Sequence, residues 1–523
     1  MKKAELNNDI SLPPRGEYSS ITGKARDQFE DYFIRYIDNQ TSDIYLLDYI
    51  KKLMSPKYLH YFALNESVNK KLSESEISII LSNSFFNRIS KDLPPKYNFN
   101  LCLFYPLYLY SLLKFCVRSS ILSIRSNNRI EIPKVLFLRK KDYPDLGISQ
   151  ILGDNILAKG VSFTSTIWGF SRRPADSGFN YLNFYKGAFV NVVTSFLATL
   201  LFSLQWFGFI VRNGIPHTLF PRLLIDSLVA NVVCRMRSRI ITGVLVDKPF
   251  YVLLYRYKKD YQKIVSLNES FWYPPFRSFD YNHLDIYYSM CNIDASTINQ
   301  CGGNIKKFIN TEFYRHELVT NSNGISYDLK LPLCEYDYKI LVAPIQVPID
   351  RFLPWSPKEL EKFILCIIQL SIEMTDTLFV LKEKKDELKL LDESVINSIY
   401  SRNNIYTIRS EKPRYLKYNQ FEDLICKMDQ LVSMSHMSTT IWQAISQGIR
   451  TIAVNDIHPQ TFLSDYKNLE VKLENLGIAI QYWKEMPDKQ WGSLRANISK
   501  RVNLGASNGL EKVASDICAM IQN

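Results

Sequence analysis

The stretch DQLVSMSHMSTTIWQAISQGIRTIAVN, residues 429–455, decides how the chain is read. Leu431 and Val432 begin a short apolar run, which a Ser/His/Met turn interrupts. Ser438, Thr439 and Thr440 are helix-capping residue types, because their side-chain oxygens accept from the free N–H groups of a first turn. Ile441, Ala444 and Ile445 follow at helical spacing, Gly448 stops the helix, and the β-branched residues 451–454 predict a second strand. A helix that opens with hydroxyls just after a buried parallel strand is a ready anion site. Its N–H groups and positive dipole end face the carboxyl edge of the sheet. The alternative is an ordinary capped βαβ unit without a ligand, but three consecutive hydroxyls exceed what one cap needs.

The same pattern extends upstream. Residues 339–344 read as a strand, and Ser356, Pro357 and Glu359 give a helix its cap, first turn and capping-box acid, with apolar positions running to Ile372. Residues 377–381 are a second strand that ends in Lys382 and the charge run 382–385. Residues 404–408 are a third strand, and residues 421–428 a short helix. The His458-Pro459 pair after Asn455 reads as a turn. The expectation is a Rossmann-like domain over residues 336–500, followed by a C-terminal helix in 501–523 that crosses back onto the preceding domain.

Residues 131–335 read as a second α/β domain, with strands at 133–138, 240–246 and 250–254. Another strand begins at Ile264, followed directly by Asn268, Glu269 and the aromatic Phe271, Trp272 and Tyr273. Polar residues just past a buried strand lie on the edge where open α/β sheets bind ligands. Asp280, His283 and Asp285 come soon after. Glu269 is the first candidate for a general base and Asp280 the second; the plainer reading of either is a loop or capping acid. The turn at Cys301-Gly302-Gly303-Asn304 permits close backbone approach to a ligand, and residues 327–338 read as the interdomain linker. Ahead of this domain, residues 1–20 are expected to be mobile. Residues 21–130 form a helical extension, with Phe29, Tyr32, Phe33 and Tyr36 on one face.

Composition bounds the rest. A chain of 523 residues exceeds one core, and 46% apolar with 22% charged residues is a folded globular composition. Nine cysteines without a CxxC pair, set in apolar runs, read as buried free thiols, and no metal site is visible. The net charge of +12 is dispersed and accompanies no nucleic-acid motif, so a membrane face and a phosphate-bearing substrate are the expected partners, not nucleic acid. The N-terminus lacks the apolar core of a signal peptide. Residues 187–211 carry no charge and are long enough to cross a bilayer. A single crossing would split the 131–335 domain between two compartments. The segment is therefore a core helix or an in-plane membrane element, or the domain boundaries are wrong; the membrane-contacting helix is preferred.

The Ser438–Thr440 turn, its helix and the lysine-ended strand resemble those of two-Rossmann (GT-B) glycosyltransferases that build bacterial surface polysaccharides such as capsule and lipopolysaccharide. The resemblance spans roughly residues 336–480. It implies an α/β fold of two Rossmann-like domains facing a cleft, with a nucleotide-sugar on the C-terminal domain and a glycan or lipid-linked acceptor on the other. It also implies a cytoplasmic enzyme at the inner face of the cell membrane. The donor would be held by Ser438, Thr439, Thr440, His436 and Lys382, with Gln443 standing where many relatives place a ribose-binding glutamate. Neither metal nor cofactor is required beyond the donor substrate, since a helix dipole and a lysine can offset the leaving phosphate. Two rivals stay open: a CDP-glycerol-like polyol-phosphate transferase of the same fold, and a non-catalytic membrane-associated scaffold.

Overall fold

The computed structural model describes residues 20–65, 84–96, 104–125, 132–140, 148–168, 188–244, 249–267, 283–289, 304–311, 331–343, 357–383, 387–408, 424–434, 439–456, 462–502 and 508–522. Its frame is two six-stranded sheets in which every pairing is parallel. Parallel strands need helical crossovers, which cover both faces of a sheet. Accordingly Val135, Leu136, Phe137 and Leu138 of the first strand are all completely buried.

The second sheet contains β7 (Tyr338–Ala343), β8 (Thr377–Lys382), β9 (Ile405–Ile408), β10 (Gln430–Ser433), β11 (Arg450–Val454) and β12 (Glu470–Val471), arranged β12-β11-β10-β7-β8-β9. Numbered within the domain this is the order 3-2-1-4-5-6 of a Rossmann sheet, with its switch point between β7 and β10. The first sheet contains β1 (Val135–Lys140), β2 (Phe163–Trp168), β3 (Ile240–Gly243), β4 (Lys263–Leu267), β5 (His283–Ser289) and β6 (Asn304–Asn310), arranged β2-β1-β3-β4-β5-β6. Its order reverses between β1 and β3. The fold is therefore α/β with two Rossmann-like domains, GT-B-like, and a helical N-terminal extension, as the sequence reading expected.

That extension comprises α1 (Ser20–Tyr36), α2 (Ile44–Asn65), α3 (Ser84–Ser90) and α4 (Tyr105–Arg125). The first domain contributes α5 (Ile148–Ala158), α6 (Ala188–Arg212), α7 (Phe220–Arg235) and α8 (Phe250–Tyr257). Buried polar contacts join the two parts. Tyr49 donates to Asp226 (2.8 Å), the His283 imidazole meets Asp48 (2.6 Å), and Asp43 accepts from both Arg256 and the Trp206 indole. The Arg256 guanidinium also lies over the rings of Phe202 and Trp206. Removing one member of such a set would strand the others away from water.

Three local expectations are corrected. Residues 250–254 form the start of helix α8, not a strand. The five side chains are all buried, so the run carries no period that could tell helix from strand. His283 and Asp285 lie inside β5 and not in a loop after a strand, so they occupy the amino edge of the sheet. Cys334 and Cys426 are exposed, whereas Cys116, Cys234 and Cys518 are buried free thiols.

Helix α6 covers the charge-free segment. It lies in the crossover from β2 to β3, and both strands pair with β1. A single membrane crossing would tear that sheet apart. Its inner side packs on α4 and α7, with Val192, Trp206 and Ile210 fully buried.

The second domain adds α9 (Pro357–Glu373), α10 (Glu393–Tyr400), α11 (Thr439–Ser446), α12 (Leu476–Glu485) and α13 (Asp488–Val502). The last helix, α14 (Gly509–Gln522), packs on α5 of the first domain. There Arg239 donates to the Ile521 carbonyl (2.7 Å), so a cation sits at the negative end of the helix dipole.

Candidate site at the carboxyl edge of the second sheet

The switch point between β7 and β10 splays the crossovers to opposite faces and leaves a crevice beyond the strand ends. Register fixes what borders it. Leu381, Val342 and Val432 are partners across β8, β7 and β10. The next residues, Lys382, Ala343 and Ser433, therefore end three adjacent strands at one level. The Met434 N–H donates to the Ala343 carbonyl (3.2 Å), which closes the β7–β10 pairing at that edge. Two strand spacings, about 10 Å, separate Lys382 from Ser433 across the end of β7.

Helix α11 begins five residues beyond Met434. Ile441, Trp442, Ala444 and Ile445 are fully buried, which anchors the helix against β10 and β11. Its far end is locked as well. Gly448 has φ +85°, a conformation that suits glycine, and the Ile449 N–H returns to the Ala444 carbonyl (2.9 Å). Arg495 and Trp491 of α13 donate to the carbonyls of Ser446 (2.5 Å) and Gly448 (2.6 Å). A side chain at Gly448 would crowd the Arg495 guanidinium at 3.0 Å. With its negative end so tied, α11 holds its positive end at the crevice.

The expected donor residues fall as follows. Thr440 is half-buried in the first turn of α11, and Lys382 is half-buried at the end of β8. Gln443, one turn further along, is 1% exposed, so its amide belongs to the interior and not to an open surface. Thr439 opens the helix. His436 and Ser438 lie outside the described residues, as do His458, Glu269 and Asp280. The structure therefore brings Lys382 and the α11 start to one edge.

Two residues and one strand at this edge escaped the sequence reading. Glu383 follows Lys382 but is 1% exposed, and its Oε1 accepts from the Leu388 N–H (2.8 Å). It was hidden in what looked like a solvated charge run. Asn455, buried past β11, donates to Glu470 Oε1 (2.5 Å), and its N–H reaches the Val471 carbonyl (2.9 Å). The only hint of Asn455 was its place after a buried strand. β12 has two residues, too short to leave a periodic signal.

On the first sheet, the carboxyl edge near the switch point is tight. A Cβ on Gly243 would meet the Leu138 carbonyl at 2.8 Å, so only glycine fits between β1 and β3 there. Buried hydroxyls face inward: Ser266 donates to the Gly243 carbonyl (3.2 Å) and Thr311 to that of Ser289 (3.0 Å). Among the described residues no carboxylate stands at this edge. Asp285 lies at the opposite end of the sheet. Burial raises its carboxyl, but the Ile264 N–H, Lys258 and Lys306 outweigh that and hold it below the ordinary carboxylate range.

A groove of about 1150 Å³ between α9 and α12 is a separate feature. Glu373, Asp456, Glu474 and Glu485 line it, and this acidic wall would repel a phosphate. Among the described residues no cluster of His, Cys, Asp and Glu is arranged to hold a metal ion.

No protein-family model and no curated protein matches the sequence. Solved structures do resemble it. A UDP-GlcNAc 2-epimerase from Neisseria meningitidis bound to UDP-GlcNAc is 12% identical over 74% of this chain and 100% of its own, with a TM-score of 0.47. The Methanocaldococcus jannaschii UDP-GlcNAc 2-epimerase in complex with UDP-GlcNAc and UDP is 9% identical over 74% and 99%, with a TM-score of 0.44. A UDP-glucosyltransferase from Polygonum tinctorium is 9% identical over 76% and 100%, with a TM-score of 0.41. The strand order of the two sheets, not these likenesses, carries the reading of the site.

Proposed function

We propose that the chain is a two-Rossmann glycosyltransferase that moves a sugar from a nucleotide-sugar donor to a surface-polysaccharide or lipid-linked acceptor. The observation that carries this reading is the shared level of Lys382, Ala343 and Ser433 at the switch point, with the α11 start just beyond. A diphosphate placed there would meet the Lys382 ammonium and the positive dipole end of α11. As the glycosidic bond to phosphate breaks, negative charge grows on the leaving diphosphate. Positive charge and a helix dipole held at that edge would stabilise that developing charge. The acceptor hydroxyl must lose a proton, and Glu269 and Asp280 are the proposed bases.

The test is a thermal-shift and calorimetric screen of the full chain against UDP, GDP, CMP, CDP and their sugar conjugates. A ligand at a hundredfold its dissociation constant adds about 2.7 kcal/mol of apparent stability. Lys382→Ala should weaken a bound nucleoside diphosphate about 10- to 100-fold, as loss of a charge-assisted hydrogen bond does, while the bare nucleoside is unaffected. A shift with CDP-polyols alone would replace the sugar by a phosphorylated polyol. A flat panel on folded protein would leave the scaffold reading.

A further inference from the structure

Helices in contact with solvent normally turn their polar side outward. Two adjoining helices here do the reverse. On α6, Val190, Leu197, Leu201 and Leu204 recur on one face, and Leu201 and Leu204 are 81% and 66% exposed. On α4, which packs directly against α6, Leu107, Tyr110, Leu113, Val117 and Ile121 form a second exposed row, with Leu107 and Tyr110 at 59% and 65%. Scattered exposed leucines are ordinary, but two packed rows of them mark an interaction surface. Charge identifies the occupant. The only charged residues in the two helices are Lys114, Arg118, Arg125 and Arg212, all cations.

From this we infer that the α4–α6 face seats the protein on an anionic lipid surface, with both helices lying in the plane of the interface. A second copy of the chain is disfavoured, since neither helix carries an acid to meet the cations of its mate. Insertion across the bilayer is barred by the inner side of α6. Ser203 bonds the Tyr105 hydroxyl (2.7 Å), and the Trp206 indole donates to Asp43 (3.1 Å), so the helix stays part of the domain. Only the outer row is free to enter lipid. From Val190 to Leu204 that row is about 21 Å long, lying flat at the depth of about 5–10 Å usual for in-plane helices. Apolar side chains supply the insertion and Lys114 and Arg212 the attraction to headgroups. The inference is independent of the donor-site reading.

The experiment is co-sedimentation of the full-length protein with vesicles of phosphatidylcholine, alone or mixed with phosphatidylglycerol, alongside sedimentation velocity without lipid. The protein should partition onto the mixed vesicles more than onto the neutral ones, and less as salt is raised. Leu201→Glu with Leu204→Glu should lower partitioning at least about tenfold per side chain, with an unchanged thermal melt because both positions are exposed. On the other helix, Lys114→Gln should lower it about fivefold, which keeps the test readable should the first variant misfold. Equal sedimentation of wild type and folded variants would overturn the inference. So would a concentration-dependent dimer that the leucine variants dissolve while vesicles capture neither form.

Discussion

Replacing Asp285 with asparagine should loosen the amino edge of the first sheet, around β4 and β5, by about 3 kcal/mol. The carboxylate, 9% exposed, accepts from the Ile264 N–H at 2.9 Å and pairs with Lys258 and Lys306, each at 3.1 Å. Lys306 is half exposed, so its share is at most about 1 kcal/mol. Lys258 is 13% exposed and would lose its counter-charge, keeping only the Gln262 carbonyl (3.1 Å) as acceptor, a loss of about 3 kcal/mol. Asparagine keeps an acceptor for Ile264, which limits the damage to the ionic part. A chain of two domains has no single unfolding free energy, so the assay is amide hydrogen exchange in peptides covering β4 and β5. Exchange there should accelerate roughly a hundredfold at neutral pH. Adding Lys258→Met should restore much of the protection, because the stranded charge is gone. The pH dependence follows from the depressed carboxyl of Asp285. Its contribution is full above the unfolded carboxylate value of about 3.9 and disappears as pH falls through the lower folded value, so variant and wild type should converge in acid. Protection within threefold of wild type at pH 7, unchanged by Lys258→Met, would refute the structural role.

Two further outcomes follow from the same contacts. Asp226, which accepts from Tyr49, has a carboxyl raised chiefly by burial, against the pull of Arg222. The stabilisation that its neutral form confers is full below the unfolded value and lost as pH rises through the folded one, so Asp226→Asn should melt higher than wild type at pH 7, with the gap closing below about pH 4. Arg239→Met deletes the charge-assisted bond to the Ile521 carbonyl, and exchange over residues 509–522 should accelerate as α14 docks more weakly by about 1.5–3 kcal/mol, while β8 and β10 stay protected.

Local order was legible where a segment's own chemistry chose its conformation. Pro357 opened α9, Gly448 ended α11, and the β-branched run at 451–454 became β11 because a fixed proline φ, a positive φ and β-branching act within a few residues. The elements at the candidate edge were legible for the same reason: Lys382 ends a strand, and Thr439 and Thr440 open a helix. Where every side chain is buried, periodicity disappears, and residues 250–254 passed for a strand. Strand order was beyond local reading, because pairing β10 with β7 joins segments some ninety residues apart. That pairing, with β7 on β8, sets Lys382 level with Ser433 at the switch point. Tertiary contact likewise placed Asp285 at the amino edge of the first sheet, and turned a charge-free run into a helix with one face in the core and the other to the outside. A sequence specifies which side chains are apolar, but packing against a partner decides which of them meet water.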